Sequence, residues 1–220
     1  MKSAAANTLG ISLVSAVFAQ SGTSWVDSVS GGPYTASPSS FSGGVATFNN
    51  TIVDFGNDTR WDINNADKTI IIKLATHDAG ADSFFLGTWG RSGGSFPTDY
   101  GWRIGVQGGT GCWYFLVNDA SGNQDEDDTS ISATADTLIE LAVVCTNGVG
   151  FKWYANGTLM ATVAETHTGH ALSTTHLLFN EKGDSGTTYN ATQFAHMLVW
   201  NRALSGTEVA AVFANPMAPL

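Results

Sequence analysis

The chain has 220 residues, 43% hydrophobic, 11% aromatic and only 13% charged. That is about half the roughly 25% charge of an average soluble domain, and it excludes a disordered chain and a coiled coil. With 9 Lys and Arg against 19 Asp and Glu, the formal net charge is -10, so no basic surface exists to neutralise phosphates, and neither nucleic acid nor membrane is expected as a partner.

At this length one sandwich or barrel domain is expected rather than two, because such folds run to about 200–250 residues on a single core. Met1-Lys2 followed by the apolar stretch 9–19 imitates a secretory leader, with Val17 and Ala19 at cleavage-like positions. Asn7, Thr8, Ser12 and Ser15 interrupt it, so residues 1–8 are read as an N-terminal arm and 11–19 as a first strand.

From there the apolar pattern is short and strand-like, punctuated by Gly, Ser, Asn and Asp, with 25 glycines in all. Further strands are predicted over 45–48, 69–75, 83–87, 102–106, 112–118, 129–133, 138–146, 150–155, 158–163, 176–180 and 193–200. Their spacing suits an all-β fold, an antiparallel β-sandwich of two sheets. No stretch reaches the ~18 unbroken apolar residues of a membrane helix, and no 20–50-residue repeat marks a solenoid.

The clearest hairpin is 151–160, where Asn156-Gly157 supplies the two positive-φ residues of a type I′ turn. Asn147-Gly148 turns the chain just before it, so 138–163 should form a three-stranded meander. Lys152 and the residues alternating with it should point outward, and Phe151 and Trp153 inward. Near the end, Ser205-Gly206-Thr207-Glu208 is a capping box, with Leu204 and Val209 placed to close a hydrophobic staple. It predicts one short C-terminal helix to about Ala214, stopped before Asn215-Pro216 because a residue preceding proline disfavours the α region.

Cys112 and Cys145 are the only thiols, so a four-thiolate zinc site and a dense disulfide framework are both out of reach. One bridge between them is the ceiling; both lie in strand-like runs, and reduced thiols of the core are the favoured reading over that bridge.

The tail 197–216, which runs Met-Leu-Val-Trp-Asn-Arg-Ala-Leu-Ser-Gly-Thr-Glu-Val, resembles the last strand and closing helix of laminin-G-like, concanavalin A-like jelly-roll domains. Trp153-Tyr154-Ala155-Asn156-Gly157-Thr158-Leu159 resembles that family's Tyr-x-Asn-Gly hairpin, and 13–30 is similar to its opening strand with an Asp-Ser turn. The resemblance implies a concanavalin A-like jelly roll over 9–216, with 217–220 as a C-terminal tail. The ending Phe213-Ala214-Asn215-Pro216-Met217-Ala218 is similar to the close of such domains in tailed-phage virion proteins, although Met217 stands where those carry an aromatic.

A jelly roll of this class can be a glucan hydrolase, a lectin or an assembly module, so the chemistry must decide. Retaining glucanases place two carboxylates about 5–5.5 Å apart, and in this fold they come as a Glu-x-Asp-x-x-Glu run. Glu126, Glu140, Glu165, Glu181 and Glu208 are scattered, so the chain is not expected to be an enzyme. His-Glu-x-x-His, Gly-x-Ser-x-Gly and phosphate-loop patterns are missing too; Gly90-Arg91-Ser92-Gly93-Gly94 lacks the Lys-Ser/Thr sequel.

No cofactor and no metal site is expected, with calcium kept open at two places: Asp125-Glu126-Asp127-Asp128, read as a solvated turn, and Asp54, Asp58 and Asp62. His167 and His170 are read as a solvated loop, and Asn49, Asn57, Asn156 and Asn190 each head a glycosylation sequon. The segment from Trp89 to Trp102 holds Trp89, Arg91, Phe96, Asp99, Tyr100 and Trp102. Aromatics beside polar groups bind sugar rings or protein partners. Trp89, Asp99 and Tyr100 are the candidate ligand-binding residues, and Trp102 is read as core.

These observations favour a non-enzymatic virion structural protein, a capsid decoration or head-associated protein of a tailed phage. Its partners would be other virion proteins, the major capsid protein first, with a homo-oligomer on the exterior of the particle. The alternative is a carbohydrate-binding, lectin-like adhesion or receptor-binding module, virion-borne or secreted.

Overall fold

A computed structural model of the chain describes residues 9–63, 66–77, 83–88, 101–118, 124–164, 177–182, 187–188, 192–217 and 219–220. The strands are β1 (Leu13–Phe18), β2 (Ser24–Val26), β3 (Pro33–Thr35), β4 (Ser40–Ser42), β5 (Val45–Phe48), β6 (Val53–Asp54), β7 (Lys68–Ala75), β8 (Ser83–Gly87) and β9 (Gly101–Val106). They continue as β10 (Cys112–Asn118), β11 (Gln124–Ser132), β12 (Ile139–Thr146), β13 (Gly150–Ala155), β14 (Thr158–Ala164), β15 (Leu178–Phe179), β16 (Glu181–Lys182), β17 (Thr187–Thr188) and β18 (Thr192–Trp200). A 3-10 turn, Thr59–Trp61, follows β6, and helix α1 spans Gly206–Ala214.

One antiparallel sheet runs β14-β13-β12-β7-β18-β5-β4, with β1 also paired to β18; the other runs β11-β10-β9-β8-β15-β6-β3-β2. The two sheets make the predicted sandwich. Between them lie Ile70, Ile72 and Leu74 of β7, Leu141 and Val143 of β12 and Trp153 of β13, facing Trp102, Ile104, Trp113 and Phe115. Phe115 crosses the layer, 4.9 Å from the Phe151 ring and 5.9 Å from that of Trp153. Each fully buried aromatic removes about 150–250 Å² from water, and these rings dominate the core's stabilisation.

Strand β7 is buried along nearly its whole length because its outer face is covered as well. Ile71, Ala142, Tyr154, Leu198 and Trp200 pack beneath Leu204, Val209 and Val212 of the α1 region and beneath Leu9. The capping box forms as predicted: Ser205 accepts from the Glu208 N–H and the Glu208 carboxylate accepts from the Ser205 N–H. Trp200 Nε1 donates to the Leu9 carbonyl at 2.7 Å, and the Pro219 carbonyl oxygen lies 3.1 Å from where a Cβ on Gly10 would stand.

The Asn156-Gly157 turn has φ of 45° and 86°, as a type I′ turn requires, and β12, β13 and β14 form the predicted meander. Lys152 is exposed while Phe151 and Trp153 are buried. Tyr154, expected outward with Lys152, is on that outer face but buried, because α1 lies over it. A break in the β18–β7 register between Phe194 and His196 turns β18 over. Phe194, Met197 and Val199 therefore face the inner core while Leu198 and Trp200 face α1, which a strict period of two does not allow.

Several expectations are corrected. The acidic run 125–128 is not a turn: its backbone lies in β11, with Asp128 opposite Tyr114 and Asp125 opposite Val117. It shows no apolar alternation, and β10 supplies a pairing partner that local pattern does not reveal. The first strand begins at Leu13 rather than residue 11, because Ser12 turns the chain at φ 63° and Ile11 is exposed. Cys145 is buried but Cys112 is only half-buried, so one of the two free thiols is outside the core. Strands β2, β3, β4, β6, β16 and β17 go unpredicted, since runs of two or three residues are too short to display a period.

Candidate functional site

Strand register gathers one rim of the sandwich. Leu178 pairs with both Gly87 and Asp54, and Asn118 pairs with both Gly101 and Gln124. The ends of β6, β8 and β10 and the starts of β9, β11 and β15 therefore lie together, and Thr35 opposite Asp54 brings β3 in from the same side. Trp89, Asp99 and Tyr100, with Arg91 and Phe96, fall outside the described residues, as do His167, His170 and Asn190.

Thr88 and Gly101, the described residues nearest to 89–100 on either side, are fixed on this rim. Thr88 N–H donates to the Trp102 carbonyl at 3.0 Å, and Gly87 and Gly101 pack so closely against the opposite backbone that a Cβ on either would collide, at 2.4 Å from Trp102 O and 2.9 Å from Thr88 O. Trp102 is buried, as expected of a core residue, and its Nε1 donates to the Trp61 carbonyl at 2.7 Å. That bond joins the base of the segment to the 3-10 turn.

The 3-10 turn presents Arg60 beside Tyr34. Behind them Asp27, 1% exposed, accepts from the Ser15 hydroxyl at 2.6 Å, from the backbone N–H of Ala16, Val29 and Ser30 at 2.9–3.0 Å, and from the Tyr34 hydroxyl at 3.1 Å. Burial alone would push its carboxyl up, but the Ser15 hydroxyl and these N–H donors outweigh it and hold the group at about 2. Burial and the Asp27 charge together push the Tyr34 phenol up, so it stays a hydroxyl donor.

Arg60 Nη2 donates to Asp58 at 2.7 Å, its Nη1 lies 3.4 Å from both Asp27 and the Tyr34 hydroxyl, and its guanidinium sits 5.3 Å from the Trp61 ring centroid. Asp58 also caps the 3-10 turn through the Arg60 N–H, and the Arg60 hydrogen bond holds its carboxyl below the usual range. The result is a guanidinium locked in one orientation and already matched by two carboxylates.

Arg60 and Tyr34 line an open cleft of about 410 Å³, with Asp54, Asn57 and Asp58 around it and Gly32 and Pro33 at its edge. A neighbouring cleft of about 580 Å³ lies on the other side of Arg60, between Asp62, Asp67, Lys68 and Asn201. Lys68 is buried, its ammonium donating to the Thr59 and Arg60 carbonyls at 3.3 and 2.9 Å, and burial lowers its basicity. It braces the 3-10 turn from below. Burial raises the Asp62 carboxyl.

Of the second calcium candidate, Asp54 accepts the Gly56 N–H at 2.8 Å and Asp58 is engaged by Arg60, so these acids stabilise the turn itself. Among the described residues no group of three or more His, Cys, Asp or Glu stands close enough to hold a metal ion. Nothing in the sequence singles out Tyr34 or Arg60, which meet across 26 positions. Asp27 carried a signal, as the head of the Asp-Ser turn.

Residues 70–210 match the Laminin G 3 family, the concanavalin A-like lectin/glucanases superfamily. The chain belongs to this family. The matched segment opens on β7 and closes inside α1, so it takes in the hairpin and the first part of the tail that the sequence motifs indicated, while Tyr34 and Arg60 precede it. No curated protein matches the sequence. Among solved structures, the Laminin G 3 chain is similar to Trypanosoma rangeli sialidase in complex with sialic acid (TM-score 0.69, 15% identity, 94% of this chain and 33% of that one). It is similar to the binding domain of Paraclostridial Mosquitocidal Protein 1 (TM-score 0.74, 13% identity, 93% and 52%). A third is the botulinum neurotoxin serotype D ligand binding domain in complex with N-acetylneuraminic acid (TM-score 0.71, 10% identity, 96% and 52%). The chain spans between a third and about half of their lengths, and at these identities the likeness is one of fold.

Proposed function

We propose that this domain is a carbohydrate-binding, lectin-like module of an adhesion or receptor-binding protein, acting outside the cell and without hydrolysing its ligand. The observation that carries the reading is the cleft of about 410 Å³, in which the Tyr34 aromatic body stands beside a fixed guanidinium and the carboxyl and amide groups of Asp54 and Asn57. A sugar offers apolar C–H faces and a rim of hydroxyls, and such a site answers both. Membership of a lectin/glucanase superfamily supports it, as do structural relatives solved with sialic acid and N-acetylneuraminic acid. Asp58, held in its charged form by Arg60, is poorly suited to be the protonated acid that glycoside hydrolysis needs.

Trp89, Asp99 and Tyr100 belong to the same reading, because Trp102 ties the base of their segment to the turn that carries Arg60. A second reading, a phage capsid decoration or head-associated protein that contacts the major capsid protein as a homo-oligomer, draws on the exposure of Ile11 (59%) and Met217 (55%). These two flank the junction of Gly10 with Pro219.

A glycan array probed with the full chain, alongside light scattering, tests both. Capture of one glycan class by a monomer, lost on Tyr34→Ala, Trp89→Ala or Tyr100→Ala, is the expected result. A trimer or larger assembly with a silent array would overturn the lectin reading in favour of the virion one.

A further inference from the structure

We infer that the folded chain carries one self-modifying asparagine: Asn147 deamidates to aspartate and isoaspartate, while Asn156, in the same dipeptide, is held unreactive by the fold. The sequence contains two Asn-Gly pairs, 147–148 and 156–157. Asn-Gly is the dipeptide in which this reaction runs most readily, because glycine puts no side chain beside the attacking nitrogen. The Gly148 backbone nitrogen loses its proton to solvent base and attacks Asn147 Cγ; the Cγ–Nδ2 bond breaks and ammonia leaves, closing a five-membered succinimide. Water then opens the ring at either carbonyl, giving aspartate or, with one more backbone carbon, isoaspartate.

Both asparagines are exposed, so access of water does not separate them. The hydrogen bonding of the side chain does. Asn156 Oδ1 accepts the Glu140 N–H at 3.0 Å, and the Asn156 N–H donates to the Glu140 carbonyl at 2.8 Å. Glu140 is 7% exposed, so an Asn156 side chain that swung onto the Gly157 nitrogen would leave a buried N–H unpaired. The hairpin resists the swing as well, because Ala155 pairs with Thr158 directly across the two turn residues. Gly157 also lies against α1, with Phe213 Cδ2 3.5 Å from where a Cβ would stand.

Asn147 is tied through its backbone instead. Its N–H donates to Asp67 Oδ1 at 3.0 Å, a bond that rotation of the side chain does not disturb. The turn is closed from the Val149 N–H to the Thr146 carbonyl at 3.0 Å, and residues 147–149 are exposed. Among the described residues nothing lies within 4 Å of a Cβ position on Gly148, so the ring has room to form. Either product places a new carboxylate beside Asp67, and isoaspartate lengthens the chain between Thr146 and Gly150, which are paired across β12 and β13. Negative charge therefore accumulates with time at this end of the sheet.

The test incubates the full folded chain at pH 6 and at pH 8, beside the same chain unfolded in urea, and follows peptide mass and isoaspartate content at both positions. In the folded chain, conversion at 147 should exceed that at 156 by about tenfold or more. It should run faster at pH 8 than at pH 6, since the attacking nitrogen must lose a proton. In urea the two positions should convert at similar rates. Asn147→Gln, in which the same attack has to close a six-membered ring, should suppress nearly all conversion of the folded chain.

Equal conversion at both positions in the folded chain, or faster conversion at 156, would overturn the protection assigned to Asn156. Reaction of both in urea and of neither in the folded chain would overturn the assignment to Asn147. No conversion even in urea would overturn the chemistry given to both.

Discussion

Ser15 donates its hydroxyl to Asp27 Oδ2 at 2.6 Å, and that contact fastens β1 to the turn after β2 from inside the protein. Because the same carboxylate collects the Ala16, Val29 and Ser30 amides, its charged form is a structural part of the fold. The carboxyl sits at about 2 in the folded chain against an ordinary value of 3.8, so its contribution is present above about pH 4 and is lost as the pH falls towards 2. The difference is worth about 2 kcal/mol. Melting temperatures measured from pH 7 to pH 2 should fall most steeply over that window, and Asp27→Asn should lower the melting point at pH 7 and flatten the acid limb. A pH profile unchanged by the substitution would contradict the role given to Asp27.

Removing the helix cap should act locally. Ser205→Ala deletes the acceptor of the Glu208 N–H and should cost about 1 kcal/mol, roughly 2–4 °C in melting temperature for a domain of this size. The Arg202 hydrogen bond, with the Ser205 amide and hydroxyl, holds Glu208 at about 2, so the carboxylate arm of the box stays charged in mild acid. Glycan binding should be unaffected, since the cap is on the outer face, away from the Tyr34 cleft.

Gly87 offers a steric test of how closely β8 must approach β9. An added Cβ would stand 2.4 Å from the Trp102 carbonyl oxygen, which is backbone and cannot swing away. Gly87→Ala should cost about 1–3 kcal/mol in urea unfolding. Gly109→Ala, where nothing lies within 4 Å and no positive φ is required, should stay within about 0.5 kcal/mol of the wild type. Equal effects from both would show that the close approach at Gly87 is not what the fold depends on.

Calcium gives a fourth expectation. Asp58 is paired with Arg60 and Asp54 accepts the Gly56 amide, and among the described residues no group of three or more His, Cys, Asp or Glu stands close enough to hold an ion. Addition of EDTA should leave both the melting temperature and the glycan-array signal unchanged. A drop of several degrees, restored by calcium, would place an ion in the structure.

The fold was legible where local chemistry is self-sufficient. Asn156-Gly157 fixes a turn type by itself, and Ser205 with Glu208 fixes a helix start by itself. The inside and outside of β18 were not, because a one-residue irregularity at residue 195 reverses the alternation and leaves no mark in the residue types. Nor was the acidic stretch of β11, whose strand state comes from its partner β10. The cleft was the least legible part: Tyr34 and Arg60 come from separate elements, and neither stands in a recurring motif. What joins them is a buried carboxylate at position 27 that ranks, in the sequence, as one acid among nineteen. Trp102 was read correctly as core, yet the bond it makes to Trp61 is tertiary and could only be seen in three dimensions.

The approach of Gly10 to the Pro219 carbonyl has an architectural consequence. Any polypeptide extending past these two points would enter and leave the domain side by side, as a loop does from a strand hairpin. A domain so arranged can be spliced into a host chain at a surface turn without stretching either, and its own sheets would carry no tension between the two junctions. The same adjacency makes the chain a candidate for circular permutation: a short linker across 10 and 219, with new ends opened at the exposed Gly148 turn, should return the same sandwich.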